Sequence, residues 1–160
     1  MAKSMDIENS FRTHRPQLVG FCVRMLGDRP LAEDIVQDVF LKACAQANEE
    51  PSAAWLYQCA RNRCIDHHRR RGKWSRLKAL LGRDHRQEGF ESELLDKEVG
   101  WKILCSLPEK MRAILVLRAY VGLGYSELAE VFDMTTSSVG VLLSRARQKA
   151  CTLMEKEMQQ

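Results

Sequence analysis

The sequence predicts an all-α protein made of two small helical domains joined by a flexible linker: an N-terminal helical bundle, then a C-terminal four-helix domain with a helix-turn-helix. Three observations predict it. Apolar residues recur at helical spacing along almost the whole chain and nowhere alternate as a half-buried strand requires. That periodicity lapses once, from Trp74 to about Gly89, where charged residues and glycine take over. Charge is also segregated: residues 51–88 carry ten Lys or Arg against three Asp or Glu, while residues 1–50 and 89–133 are each net acidic.

Taken in order, Leu18, Phe21, Cys22, Met25 and Leu26 form the first apolar stripe, and Gly27-Asp28-Arg29-Pro30 ends that helix. Ile35, Val36, Val39, Phe40 and Ala43 mark a second helix. Asn48 to Ser52 reads as a loop, with Ser52 placed to cap a third helix from about Ala53 to Arg71 that buries Trp55, Leu56, Cys59 and Ala60. Residues 1–73 thus make one bundle, and 74–89 the linker, with room for a helical turn at Leu77–Leu81. Residues 90–160 make the second domain. Its periodicity resumes with Leu94, Leu95, Val99 and Ile103, and Pro108 opens a helix carrying Met111, Ile114, Leu115 and Leu117. The turn Gly122-Leu123-Gly124 leads to a short helix, Tyr125–Phe132, and Asp133-Met134-Thr135 to a last one, from Thr136 to about Met154.

Composition narrows the function. No apolar run approaches the roughly 18–20 residues of a membrane span, and the N-terminus lacks a signal-peptide core, so a cytosolic protein is expected. The six cysteines form no C-x-x-C pair and have no histidine at zinc-finger spacing; they are expected as small apolar core residues. His67 and His68 are helix neighbours that diverge, a poor metal pair. No nucleophile–base pair, phosphate-cradling loop or metal cluster is visible, so neither catalysis nor a cofactor is expected.

A short helix, a tight turn and a second helix form a helix-turn-helix, whose second helix enters the DNA major groove. Val139, Leu143, Ala146 and Ala150 make the inner stripe of that helix, Thr135 its cap, and Ala129 is small enough for close packing. Its outer face holds Thr136, Ser137, Ser138, Val141, Ser144 and Arg145, the chemical types that contact phosphates and base edges. The third helix grows basic toward its end, with Arg61, Arg69, Arg70 and Arg71 able to neutralise phosphates. Cations there also suit the helix dipole. Asn62 and Asp66 share a face, for base reading or for an internal hydrogen bond. On the second helix Asp34, Gln37, Asp38 and Leu41 line up opposite the apolar stripe, with Glu33 beside them, as a solvated acidic face or a docking face.

Ala32-Glu-Asp-Ile-Val-Gln-Asp-Val-Phe-Leu-Lys-Ala43 resembles region 2.2 of the extracytoplasmic-function sigma factors. Trp55-Leu through Asn62, Asp66 and Arg69-Arg70 resembles regions 2.3 and 2.4. Leu107-Pro-Glu-Lys-Met-Arg112, Tyr125-Ser-Glu-Leu-Ala129 and Val139 through Arg145-Ala-Arg147 look like region 4. The resemblance spans nearly the whole chain in the family's order and leads to the expectation that no sensory domain is appended. It implies that the acidic face (Glu33, Asp34, Gln37, Asp38, Leu41) docks on core RNA polymerase. It likewise implies that Arg61, Asn62, Asp66 and Arg69–Arg71 meet the −10 element, and Thr136–Ser138, Val141, Ser144 and Arg145 the −35 element. The loop around Gln46–Ser52 would hold a −10 base flipped from the stack, and an anti-sigma partner would restrain the protein in the bacterial cytoplasm.

This chain departs from the family where Gly140 and Leu142 stand at positions that are commonly basic, which leaves hydroxyl and apolar contacts, such as Leu142 on a thymine methyl, to discriminate. The two elements lie about 25 base pairs apart, about 85 Å at 3.4 Å per step. A fully extended linker of residues 74–89 covers about 50 Å, so the domains must stand well apart when both elements are bound. A stand-alone helix-turn-helix regulator is the alternative reading, but it needs neither the acidic face nor the basic helix end.

Overall fold

Each helix begins or ends where side-chain chemistry leaves the backbone no other choice. The computed structural model describes residues 2–46, 49–81 and 96–160, and all regular structure among them is helical. Helix α1 (Ala2–Leu26) stops at Gly27, which adopts φ +70° and donates its N–H to the Val23 carbonyl. The Asp28 carboxylate then accepts from the Leu31 N–H at 3.0 Å, capping α2 (Arg29–Gln46). Ser52 caps α3 (Ala53–Leu81) in the same way, its hydroxyl accepting from the Trp55 N–H at 3.1 Å, as the sequence led one to expect.

Two boundaries differ from expectation. Helix α1 extends fourteen residues or more ahead of its apolar stripe and runs through Pro16, and α3 continues through residues 74–81, where the linker was expected. Polar and charged residues suffice for helix where no breaker intervenes, and Gly72 alone is too weak a stop. The rest of the expected linker, 82–89, and the stripe residues Leu94 and Leu95 lie outside the described residues.

The second unit comprises α4 (Asp96–Ser106), α5 (Glu109–Val116), a π-helical turn at Leu117–Val121, α6 (Tyr125–Phe132) and α7 (Thr136–Met158). Pro108 caps α5 from outside, one position before the helix it was expected to open. The π turn closes on Gly122 at φ +85°, with the Gly122 and Leu123 N–H groups both donating to the Leu117 carbonyl. Glu127 accepts from the Gly124 N–H at 2.8 Å and fixes the start of α6. Asp133, at φ 50°, ends it. Thr135 then caps α7, accepting from the Ser138 N–H at 3.1 Å.

The first core is Leu18, Phe21, Cys22, Met25, Val36, Val39, Leu56 and Tyr57; the second is Ile114, Leu117, Leu128, Val131, Val139 and Leu143. Burying each such side chain contributes about 1.5–3 kcal/mol. Trp55 and Ala150, expected inside, are only half-buried, and of the six cysteines only Cys22, Cys59 and Cys64 are core residues. Cys44, Cys105 and Cys151 are exposed.

The two cores also meet. α5 and the π turn pack against α1, and α6 packs against α3. At this seam Arg112, only 6% exposed, donates to the Met25 carbonyl at 2.8 Å and to the Cys105 carbonyl at 2.9 Å, joining the C-terminal ends of α1 and α4. His68 from α3 donates a ring N–H to the same Met25 carbonyl at 2.6 Å. Burial holds the imidazole below the usual histidine value; the Met25 hydrogen bond opposes that, the Arg112 and Arg71 charges reinforce it, and Glu109 counters it. A histidine lowered in the folded state takes up its proton first in the unfolded chain, so stability should fall as pH drops from about 6.5 toward the lowered native value. Urea unfolding at stepped pH checks this: His68→Gln, which keeps a donor but does not titrate, is expected to flatten the decline above the carboxylate range, with His67 left as the residual titrating neighbour.

Candidate nucleic-acid and polymerase interfaces

Three exposed surfaces emerge, one on each of α2, α3 and α7. On α2 the buried stripe of Ala32, Ile35, Val36, Val39 and Phe40 faces α1 and α3, which turns Asp34, Gln37, Asp38 and Leu41 to solvent. Leu41 is 60% exposed, an apolar side chain standing beside carboxylates. Glu33 pairs with Arg29 at 3.5 Å and with Arg15 at 4.0 Å, and Asp38 with Arg63 of α3 at 3.4 Å. These are exposed pairs that hold side chains loosely.

On α3 the structure brings Asn62, Asp66, Arg69 and Arg70 to the surface, while Arg61 and Arg71 are half-buried. Arg61 is engaged: its guanidinium lies 4.5 Å from the centre of the Phe132 ring and donates to the Asn62 side-chain oxygen at 3.0 Å. The sequence placed Arg61 with the phosphate-binding cations and gave no hint of this partner.

Between α2 and α3 lies an open cavity of about 430 Å³, lined by Ala43 and Gln46, by Glu49, Glu50, Pro51 and Ser52 of the loop, and by Trp55. The Lys42 ammonium lies 5.9 Å from the Trp55 ring centre. Trp55 was expected in the core; its half-exposed ring instead forms one wall of the cavity, which the reading of periodicity missed because a Trp at the cap-proximal end of a stripe can face either way.

On α7, Val139, Leu143 and Ala146 are buried, and Thr136, Ser137, Ser138, Val141, Ser144 and Arg145 are all exposed. Thr135 also donates its hydroxyl to the Ser138 hydroxyl at 3.0 Å, so the first turn carries an ordered row of oxygens. Leu142 departs from expectation: it is half-buried and packs on the core, turned away from the face a thymine methyl would meet. At Gly140 an added Cβ would meet only Tyr125 at an ordinary 3.8 Å. Among the described residues no group of His, Cys, Asp or Glu is arranged to hold a metal ion, and no helix is long and apolar enough to cross a membrane.

The family model for sigma-70 region 2 matches residues 10–73, and that for sigma-70 region 4 matches residues 101–149. Among similar curated proteins, the ECF RNA polymerase sigma factor SigM of Bacillus subtilis is 27% identical over 151 residues, covering 91% of this chain and 93% of that one. The RNA polymerase sigma factor YlaC of the same organism is 27% identical over 152 residues, with 89% and 88% covered. The fold is shared with the sigma factor RpoE of Bartonella quintana, solved in complex with the anti-sigma factor NepR, at TM-score 0.71, 23% identity and coverage of 94% and 97%. CnrH, solved in complex with the cytosolic domain of CnrY, gives TM-score 0.67 at 20% identity, with 94% and 88% covered. Two sigma-70 regions in order on one chain, each carried by its own helical unit, place this protein in the extracytoplasmic-function group of the sigma-70 family.

Proposed function

We propose that this chain is an alternative sigma factor that binds core RNA polymerase, directs it to promoters and performs no catalysis of its own. The α2 face of Glu33, Asp34, Gln37, Asp38 and Leu41 docks on core enzyme; Arg61, Asn62, Asp66 and Arg69–Arg71 on α3 engage the −10 element; and the outer face of α7 reads the −35 element. The observation that carries this reading is the recognition helix itself: a capped α7 with its apolar stripe inward and its entire hydroxyl-and-arginine face exposed. The cavity beside Trp55 suits an unstacked −10 base, where an aromatic wall contributes about 1–3 kcal/mol per base against an unstacking cost of a few kcal/mol. Its work belongs in the bacterial cytoplasm, with polymerase and chromosome. Structures of similar fold hold anti-sigma partners, which supports control of this chain by such a partner.

Run-off transcription with core polymerase on the gene's own upstream DNA tests it. Transcripts should require both this chain and core. Arg145→Ala should weaken −35 recognition by about 1–3 kcal/mol if its guanidinium contacts a base. Tight, sequence-selective duplex binding without polymerase would instead favour a stand-alone regulator.

A further inference from the structure

Four side chains of the second unit reach onto the first. Arg112 bonds the Met25 carbonyl at the end of α1. Trp101 packs over Gly27, where any Cβ would overlap its indole. Phe132 lies under Arg61. Tyr120, from the π turn, lays its hydroxyl end on Gly20 of α1, so closely that a Cβ there would overlap it, and Arg24 stacks on its ring at 3.6 Å. Arg24 is itself held by donating to the Gly20 carbonyl at 3.0 Å.

This seam is incompatible with the proposed act of binding. Phe132 stands four residues before the first residue of the recognition helix, and Arg61 belongs to the −10 surface, yet the two are in contact. The elements they would serve are about 85 Å apart along B-form DNA. The arrangement therefore cannot hold both elements at once, and it occupies one of the cations meant for phosphate. We propose that the chain inhibits itself: the Arg112 and Tyr120 contacts clasp the two domains into a closed state that core polymerase must open. The proposal rests on the sigma-factor reading above and requires no anti-sigma partner. Gly20 is what makes the clasp specific, since only a residue without a side chain admits Tyr120 against α1.

The test uses the full-length chain in three variants: Gly20→Ala, Tyr120→Ala and the double substitution. Gly20→Ala removes no group and favours the helix, so it should fold; circular dichroism confirms this for all three. Small-angle scattering of the free chain should show a larger radius of gyration for both single variants. Affinity for core should rise about 3- to 30-fold in each, because opening in advance removes the closed population from the binding equilibrium. The double variant should match Tyr120→Ala alone, since the alanine at position 20 then has nothing to strike. A wild-type chain already extended in solution, or single variants with unchanged scattering and core affinity, would overturn the clasp. Wild type that fails to bind core in any salt would overturn the sigma-factor reading instead.

Discussion

Replacing Asp38 with Arg is expected to abolish binding of core RNA polymerase while the protein stays folded. Asp38 lies on the solvent face of α2, between the exposed Asp34 and the largely exposed Leu41. Its one ion pair, with Arg63 at 3.4 Å, is half-exposed on both sides. Pairs of this kind contribute about 0–1 kcal/mol to stability, so the helix content and unfolding midpoint should barely move. Docking is different: a carboxylate face that meets a basic partner surface would present a cation instead, and like-charge juxtaposition costs several kcal/mol. At 1.4 kcal/mol per tenfold, the affinity for core should fall by about 100-fold or more. The new guanidinium also faces Arg63, and this local repulsion has to be separated from lost docking. Adding Arg63→Ala to Asp38→Arg removes the repulsion; core affinity should stay lost. Unchanged affinity in the single variant, measured by fluorescence anisotropy, would take α2 out of the interface.

Much of this molecule is legible in its residues, and what is not legible shares one cause. Ser52 and Thr135 announce the starts of α3 and α7 because a hydroxyl ahead of an apolar stripe satisfies an N–H that nothing else can reach. Gly27 and Asp133 mark ends because the left-handed conformation favours these residue types. The outward face of α7 follows from its inward stripe, and every residue expected there is exposed. The seam between the domains is another matter. Tyr120 meets Gly20 across a hundred residues and Arg112 meets Met25 across 87, and contacts that distant leave no period in the sequence. Two faint signals exist. Gly20 sits inside an apolar stripe, where a helical glycine costs about 1 kcal/mol relative to Ala and so implies a close approach. Arg112 sits among Met111, Ala113 and Ile114, an awkward place for a cation unless carbonyls await it. Arg61 and Leu142 were misjudged for the same reason, since their roles depend on Phe132 and on the core of the second unit.

Leu143→Ala is expected to destabilise the C-terminal unit by about 2–5 kcal/mol and to abolish −35 recognition without altering any residue that meets DNA. Leu143 is fully buried, the middle of the Val139, Leu143 and Ala146 stripe that seats α7 against α5 and α6. Truncation removes three carbons and leaves a cavity that helices fixed by the Thr135 cap and the Asp133 turn can only partly close. Small domains hold only about 5–15 kcal/mol in all, so the loss is a large share of what keeps the recognition helix in place. The neighbouring Ser144 and Arg145 point outward and keep their chemistry, so failure to bind would trace to position rather than to contact. Ser144→Ala supplies the contrast: it should weaken promoter selectivity with a change in stability within about 0.5 kcal/mol. Hydrogen exchange along α7 with urea unfolding separates the two. A Leu143→Ala protein with wild-type protection and midpoint would show that the stripe does not anchor the helix, and the reading of α7 as a rigid recognition element would go with it.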